Sequence, residues 1–214
     1  LRRKRVVGAL TEGLRGVFRP SLLKDTQGGR DAVVVALATV PTAILSLALE
    51  GPSEVWSSSP TVVGLCFLAS ALAIGSTRWV PKGPAKAELD TPSYWGAVIV
   101  GVAQGTAVLP GLSRCAMTLA ALLWLGIKGE RAFELSLLVS IPAILGTEIL
   151  EGRHAFHGVD SASTLILGTC VAFVVGLGAL QILRGVLLRR AVALFAIYLF
   201  PLGLATLAWG YARP

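Results

Sequence analysis

Charge is the scarcest resource in this sequence. Only 14% of the 214 residues are Asp, Glu, Lys or Arg, and 54% are hydrophobic. A soluble domain carries ~25% charged residues, so a water-soluble globule is excluded. Cysteine is nearly absent as well. Cys66, Cys115 and Cys170 are far apart in apolar stretches, which excludes a disulfide framework and a zinc knuckle. Histidine occurs twice and methionine once, as Met117, and the first residue is Leu1. No short apolar run with a cleavage site follows the basic start, so a signal peptide is not expected.

What is present is a series of long apolar runs, with a mean hydropathy of +0.74. They imply an all-α, polytopic integral membrane protein. Residues 1–31 form a basic cytoplasmic juxtamembrane segment, and 32–214 a single transmembrane helical domain. Spans are expected at Ala32–Leu49, Thr61–Thr77, Ala132–Leu150, Ser161–Leu183 and Ala191–Tyr211. An acidic turn is expected at Glu50–Pro60, a polar loop at Arg78–Pro92, and short polar or basic turns at Lys128–Arg131 and Arg184–Arg190. Residues 94–127 are too short for two crossings and are expected to form a re-entrant helical hairpin. The fold is therefore about five spanning helices plus one such hairpin.

Charge placement supports the hairpin. With the N-terminus in the cytoplasm, all of the 19 Lys and Arg except Arg114, Arg153 and Arg213 fall on the inner side, as the positive-inside rule requires. One ordinary crossing at 94–127 would send the later basic turns outside. The net charge of +7 is thereby explained by topology and attraction to anionic membrane lipids, and nucleic acid is not expected as a partner.

The centre of the hairpin carries the chemistry. An apolar helix pattern running to Leu109 breaks at Pro110-Gly111, and a second pattern begins at about Leu112. Proline lacks an N–H and glycine tolerates unusual dihedrals, so one helix ends there and another starts. The new helix exposes unpaired amides and a positive dipole end. Ser113 adds a hydroxyl, and Arg114 adds a guanidinium suited to phosphate. Arg114 is the only Lys or Arg between Tyr94 and Ile127, deep in the membrane, where an ionisable residue marks a functional site. The alternative is a Pro-Gly kink with a snorkelling arginine, disfavoured because a central arginine costs at least ~2.5 kcal/mol on insertion scales.

Pro110-Gly111-Leu112-Ser113-Arg114-Cys115-Ala116-Met117-Thr118 resembles the Pro-Gly-x-Ser-Arg-Ser-Gly-x-Thr signature of the undecaprenyl-pyrophosphate phosphatases, the BacA/UppP family. Gly101-Val102-Ala103-Gln104-Gly105 resembles that family's lead-in, and Leu135–Gly146 its Phe-Ser-Phe-Leu-Leu-x-Ile-Pro segment. Phe195-Ala196-Ile197-Tyr198 with Gly203 resembles its last helix. The resemblance implies a hydrolase that cleaves the terminal phosphate of a polyprenyl pyrophosphate lipid. Its setting would be the bacterial plasma (inner) membrane, in carrier-lipid recycling for peptidoglycan and in bacitracin resistance. Ser113 and Arg114 are the expected catalytic residues, and Gln104, Pro110, Gly111 and Thr118 the expected substrate-binding ones. Ser113 is either nucleophile or hydrogen-bond donor; the residue types leave both open. Thr118 enters on the resemblance alone, against a helix threonine bonding its own backbone. Gln104 either lines the cavity or bonds a neighbouring helix.

The sequence departs from the family in three ways. Cys115 stands where serine is usual and Ala116 where glycine is. At a helix start beside Arg114, Cys115 is either thiolate-prone or a packed neutral thiol. The family's first motif, Glu-Gly-Leu-Thr-Glu-Phe-Leu-Pro-x-Ser-Ser-Thr-Gly-His, is not found, and Thr11-Glu12-Gly13-Leu14 does not replace it. That motif is expected upstream of Leu1. A divalent cation (Mg or Ca) is the cofactor the resemblance implies, its ligands expected outside this chain; no metal ligands are expected within it. Glu151, His154 and His157 are expected to be a solvated loop rather than a metal site. Ser136 and Ser140 are expected to pack against neighbouring helices. A homodimer is compatible with the sequence. Two rival readings are a lipid-phosphate transporter or flippase, since broken helices aimed at an anion are also a transporter design, and a catalytically degenerate homologue.

Overall fold

The computed structural model describes residues 26–80, 89–155, 162–188 and 192–212. The basic segment up to residue 25, including Thr11–Leu14, lies outside them, as do Lys82, Lys86, His157, Arg189 and Arg190 and the side chains of Glu151, Arg153, His154 and Arg184. The described residues form seven α-helices: α1 Gln27–Ser57, α2 Pro60–Ser76, α3 Tyr94–Gly105, α4 Arg114–Trp124, α5 Gly129–Ala155, α6 Ala162–Leu188 and α7 Phe195–Ala212. Five of them, α1, α2, α5, α6 and α7, are long and apolar enough to cross a membrane; α3 and α4 are not. This is the all-α polytopic architecture that the composition implies.

The expected acidic turn at Glu50–Pro60 is not a turn for most of its length. Helix α1 continues through Pro41 and Pro52 to Ser57, and only Ser58 and Ser59 separate it from α2. An internal proline removes one hydrogen bond, but an apolar medium offers no other partner for the remaining amides, so the helix persists. Pro60 then starts α2 at a position where no N–H is needed. Helices α5 and α6 likewise run beyond their expected ends, to Ala155 and Leu188.

The hairpin returns to the end from which it starts. Leu89 N–H donates to the Gly126 carbonyl at 3.1 Å, and Lys128 N–H to the Leu89 carbonyl at 3.2 Å. The two legs, α3 and α4, are thus tied at their base. Helix α4 stops where Gly126 takes a φ of +84°. Gly126 N–H bonds the Leu123 carbonyl and Ile127 N–H the Leu122 carbonyl, the two bonds of a Schellman cap.

Helix α1 runs alongside α3. Gly101 lets the two backbones touch: a Cβ there would collide with the Ala38 carbonyl and Pro41, and Thr42 Oγ1 donates to the Gly101 carbonyl at 2.9 Å. Gly101→Ala is expected to part these helices and cost about 1–3 kcal/mol of stability, read as a lower Tm in detergent. Helix α7 packs antiparallel along α2 through Gly64, Gly203 and Gly210. The core, with Val100, Leu119, Leu122, Phe133, Leu135 and Val139 buried, surrounds the hairpin stem. By contrast, no residue of Ile166–Leu183 in α6 is buried, as suits a lipid-facing helix.

The exposed tryptophans mark two levels, each with a tyrosine beside them. Trp79, Tyr94, Trp95 and Trp124 stand at the hairpin's base, and Trp56, Trp209 and Tyr211 at the opposite end. Tryptophan and tyrosine prefer the two membrane interfaces, so these levels frame the bilayer. Ten residues of helix separate Arg114 from Trp124, about 15 Å at 1.5 Å per residue, half of the ~30 Å hydrocarbon core.

Candidate active site

The tip of the hairpin is built in three steps. Helix α3 first tightens to a 3-10 turn at Thr106–Val108. A four-residue turn follows, closed by Leu112 N–H donating to the Leu109 carbonyl at 3.1 Å. Pro110 holds its second position, and Gly111, with φ +93°, its third, as a type II turn requires. Ser113 then caps α4: its Oγ accepts the Ala116 N–H at 3.3 Å.

A residue not singled out in the sequence holds this turn in place. Ser70 of α2 is fully buried. Its hydroxyl oxygen accepts the Ser113 N–H at 2.9 Å, and its proton goes to the Gly111 carbonyl at 3.4 Å. The only available signal was a lone hydroxyl ten residues into an apolar span. Ser70→Ala leaves two backbone groups without partners. It is expected to cost about 1–3 kcal/mol, seen as a Tm lowered by several degrees, with Ser70→Thr close to the parent.

The donors left over at the start of α4 define the site. Ser70 and Ser113 take the amides of Ser113 and Ala116. Among the described residues, the amides of Arg114 and Cys115 donate to nothing, and the Arg114 guanidinium, half-buried, has no hydrogen-bond or ion-pair partner. The first turn of α4 contains no acidic residue. A cation at a helix N-terminus opposes the dipole. Two amides, one guanidinium and the Ser113 O–H thus belong to one helix start and have no acceptor among the described residues. An oxyanion satisfies them all, and a phosphate has enough oxygens to do so.

The remaining expected site residues lie behind this point. Thr118 is 1% exposed. Its hydroxyl donates to the Arg114 carbonyl at 2.8 Å, and its oxygen meets Ser136 Oγ of α5 at 2.8 Å. Because Thr118 has one proton and gives it to the carbonyl, Ser136 is the donor between them. Gln104, 2% exposed, donates from Nε2 to the Val139 carbonyl of α5 at 3.1 Å. Among the described residues its Oε1 has no partner. Val139 lies one helical turn beyond Ser136, and Thr118 one turn beyond Arg114, so Gln104 reaches α5 at about the level of Arg114. Pro110 and Gly111 form the turn itself. Cys115 is exposed and free, and Ala116 is buried.

A charge cluster that the sequence reading did not anticipate lies at the hairpin's base. Arg131, expected within a short polar turn, is buried against Asp31 of α1. Among the described residues, no group of three or more His, Cys, Asp and Glu side chains is placed to hold a metal ion.

A family model described as bacitracin resistance protein BacA matches residues 2–205. The chain is 36% identical over 206 residues to an undecaprenyl-diphosphatase of Desulfosudis oleivorans, covering 94% of this chain and 73% of that protein. It is 34% identical over 183 residues to one from Desulforapulum autotrophicum, covering 85% of this chain and 66% of that protein. It is 33% identical over 213 residues to one from Treponema denticola, covering 98% and 77%.

Proposed function

The chain belongs to the BacA family, and from that premise we propose that it is an undecaprenyl-diphosphatase, hydrolysing a polyprenyl pyrophosphate to the monophosphate. The observation that carries this reading is the set of unpartnered donors at the start of α4, near mid-depth in a membrane-spanning bundle. In the reaction, water adds to the terminal phosphorus, the anhydride P–O bond breaks, and the lipid monophosphate departs with inorganic phosphate as the second product. The terminal phosphate would sit on the Arg114 and Cys115 amides, with the Arg114 guanidinium drawing off charge as it builds on the phosphoryl oxygens.

Ser113 fits the role of donor better than that of nucleophile. Its oxygen already accepts the Ala116 amide, and among the described residues no base is hydrogen-bonded to it. Thr118 and Gln104 would act from behind, fixing α4 and α3 against α5. A divalent cation stays in the proposal on the family resemblance alone. The described residues do not fit a cation cage, so no step is derived through one.

The setting we propose is the bacterial inner membrane, with the N-terminal segment and the hairpin's base on the cytoplasmic side. Residues 106–114 are half-buried, whereas the stem towards the base is packed shut by the core. A head group would then approach from the end opposite the base. A homodimer is carried in the same proposal, with the mass of the detergent-solubilised protein as its test.

The direct test of activity uses purified protein in detergent with undecaprenyl pyrophosphate and no ion gradient. Release of inorganic phosphate together with the lipid monophosphate is expected. Movement of the lipid between vesicle leaflets without hydrolysis would replace the phosphatase with a carrier.

A further inference from the structure

We propose that Arg131 is a positioning residue for the phosphate site, acting through the register of the re-entrant hairpin. This inference rests on the phosphatase reading above. The Arg131 guanidinium serves three acceptors on three segments. It pairs with Asp31 Oδ1 in the first turns of α1, donates from Nε to the Asp90 carbonyl at 2.8 Å, and meets Glu134 Oε2 of its own helix at 3.3 Å. Both side chains of the long-range pair are nearly sealed, at 4% and 3% exposure.

The place of this clasp matters as much as its chemistry. Asp90 directly follows Leu89, the residue that ties the hairpin's two legs together, and Arg131 sits in the first turn of α5, just after the second leg ends. Arg131 thus joins the closed base of the hairpin to α1. Higher up, the Thr42–Gly101 bond and the Gly101 contact join α1 to the rising leg. The Ser70 bonds fix the tip to α2. Base, stem and tip are each pinned, and the pin at the base is a buried ion pair.

Apolar contacts would close the base at least as stably, because desolvating two charges offsets much of their attraction. Apolar contacts, however, tolerate sliding. A guanidinium with three fixed acceptors in its planar fork does not. Sliding or rotation at the base is transmitted along the rigid α4 to its other end, where Arg114 and the free amides sit. A displacement of about 1 Å at a reacting group can lower a rate about a hundredfold.

The test measures kcat and KM for phosphate release, together with Tm, in purified parent, Arg131→Lys, Arg131→Met and the double variant Asp31→Asn/Arg131→Met. Arg131→Met alone takes the guanidinium away from the buried Asp31 carboxylate and is expected to lower Tm clearly. The double variant removes both charges, keeps a polar side chain at position 31, and is expected to recover most of that Tm. Its kcat is expected to stay at least tenfold below the parent, with KM within about twofold. A merely structural clasp would recover kcat along with Tm, and that outcome overturns the proposal. Arg131→Lys keeps the charge but not the fork. A near-parent Tm with kcat reduced several-fold is expected, and parent kcat there also overturns it. If the parent itself releases no phosphate, the phosphatase reading falls first and takes this role with it. That result is distinct from an active parent whose variants are equally active.

Discussion

Arg114→Ala is expected to lower phosphate release from a polyprenyl pyrophosphate by about a thousandfold, the scale seen when one preorganised donor to a transferring phosphoryl group is lost. Its effect on stability should have the opposite sign. The guanidinium has no partner among the described residues and stands at the positive end of α4. Removing a cation from that position relieves about 0.3–1 kcal/mol of unfavourable dipole interaction. The variant should insert normally and unfold at the same temperature as the parent or slightly above it. Arg114→Lys keeps a point charge but loses the planar fork, and an intermediate loss of about ten- to a hundredfold is expected. A variant that loses stability and activity in proportion would mean that Arg114 holds the fold instead. Turnover and Tm measured on the same preparations decide between these outcomes.

Gly111→Ala should have the second-largest effect, for two separable reasons. A φ of +93° in an L-residue costs about 1–2 kcal/mol by itself. In addition, the new Cβ would lie 2.6 Å from the Val63 carbonyl of α2, so the turn must move off that helix. Moving it breaks the Ser70 bonds and swings the start of α4. Activity is expected to fall about a hundredfold, as it does when reacting groups are misplaced by about 1 Å, with Tm lowered by several degrees. Gly126→Ala is the matched control. It has nearly the same φ, +84°, but a Cβ there meets nothing within 4 Å. That variant should show the dihedral cost in Tm and retain turnover within about twofold. Equal activity in the two variants would remove the claim that the Gly111 contact with α2 aims the site.

Much of the hairpin was legible because its signals are local. Pro110 and Gly111 are neighbours, and the apolar runs on either side are too short to cross. One isolated arginine marks the depth. Helix ends were read less well. Glu50, Gly51, Pro52 and Ser53 carry every local mark of a turn, yet α1 passes through them, because in lipid the backbone has no alternative partner. Thr118 and Gln104 carry hydroxyl and amide groups whose use a sequence pattern leaves open. The structure brings both to α5, to Ser136 and to Val139.

The sequence by itself determined the medium, the number of crossings, the break and the identity of the cation at it, since each follows from composition or from residues a few positions apart. Which donors at that break lack a partner was decided only by tertiary structure. So was the identity of the partners that hold the break in place. Ser70 stands 43 positions before the Ser113 amide it receives, and Asp31 100 positions before Arg131. Such pairs are set by how whole helices slide and rotate against one another. No local pattern encodes that register, because it depends on the close fit of glycines and bulky side chains on separate helices.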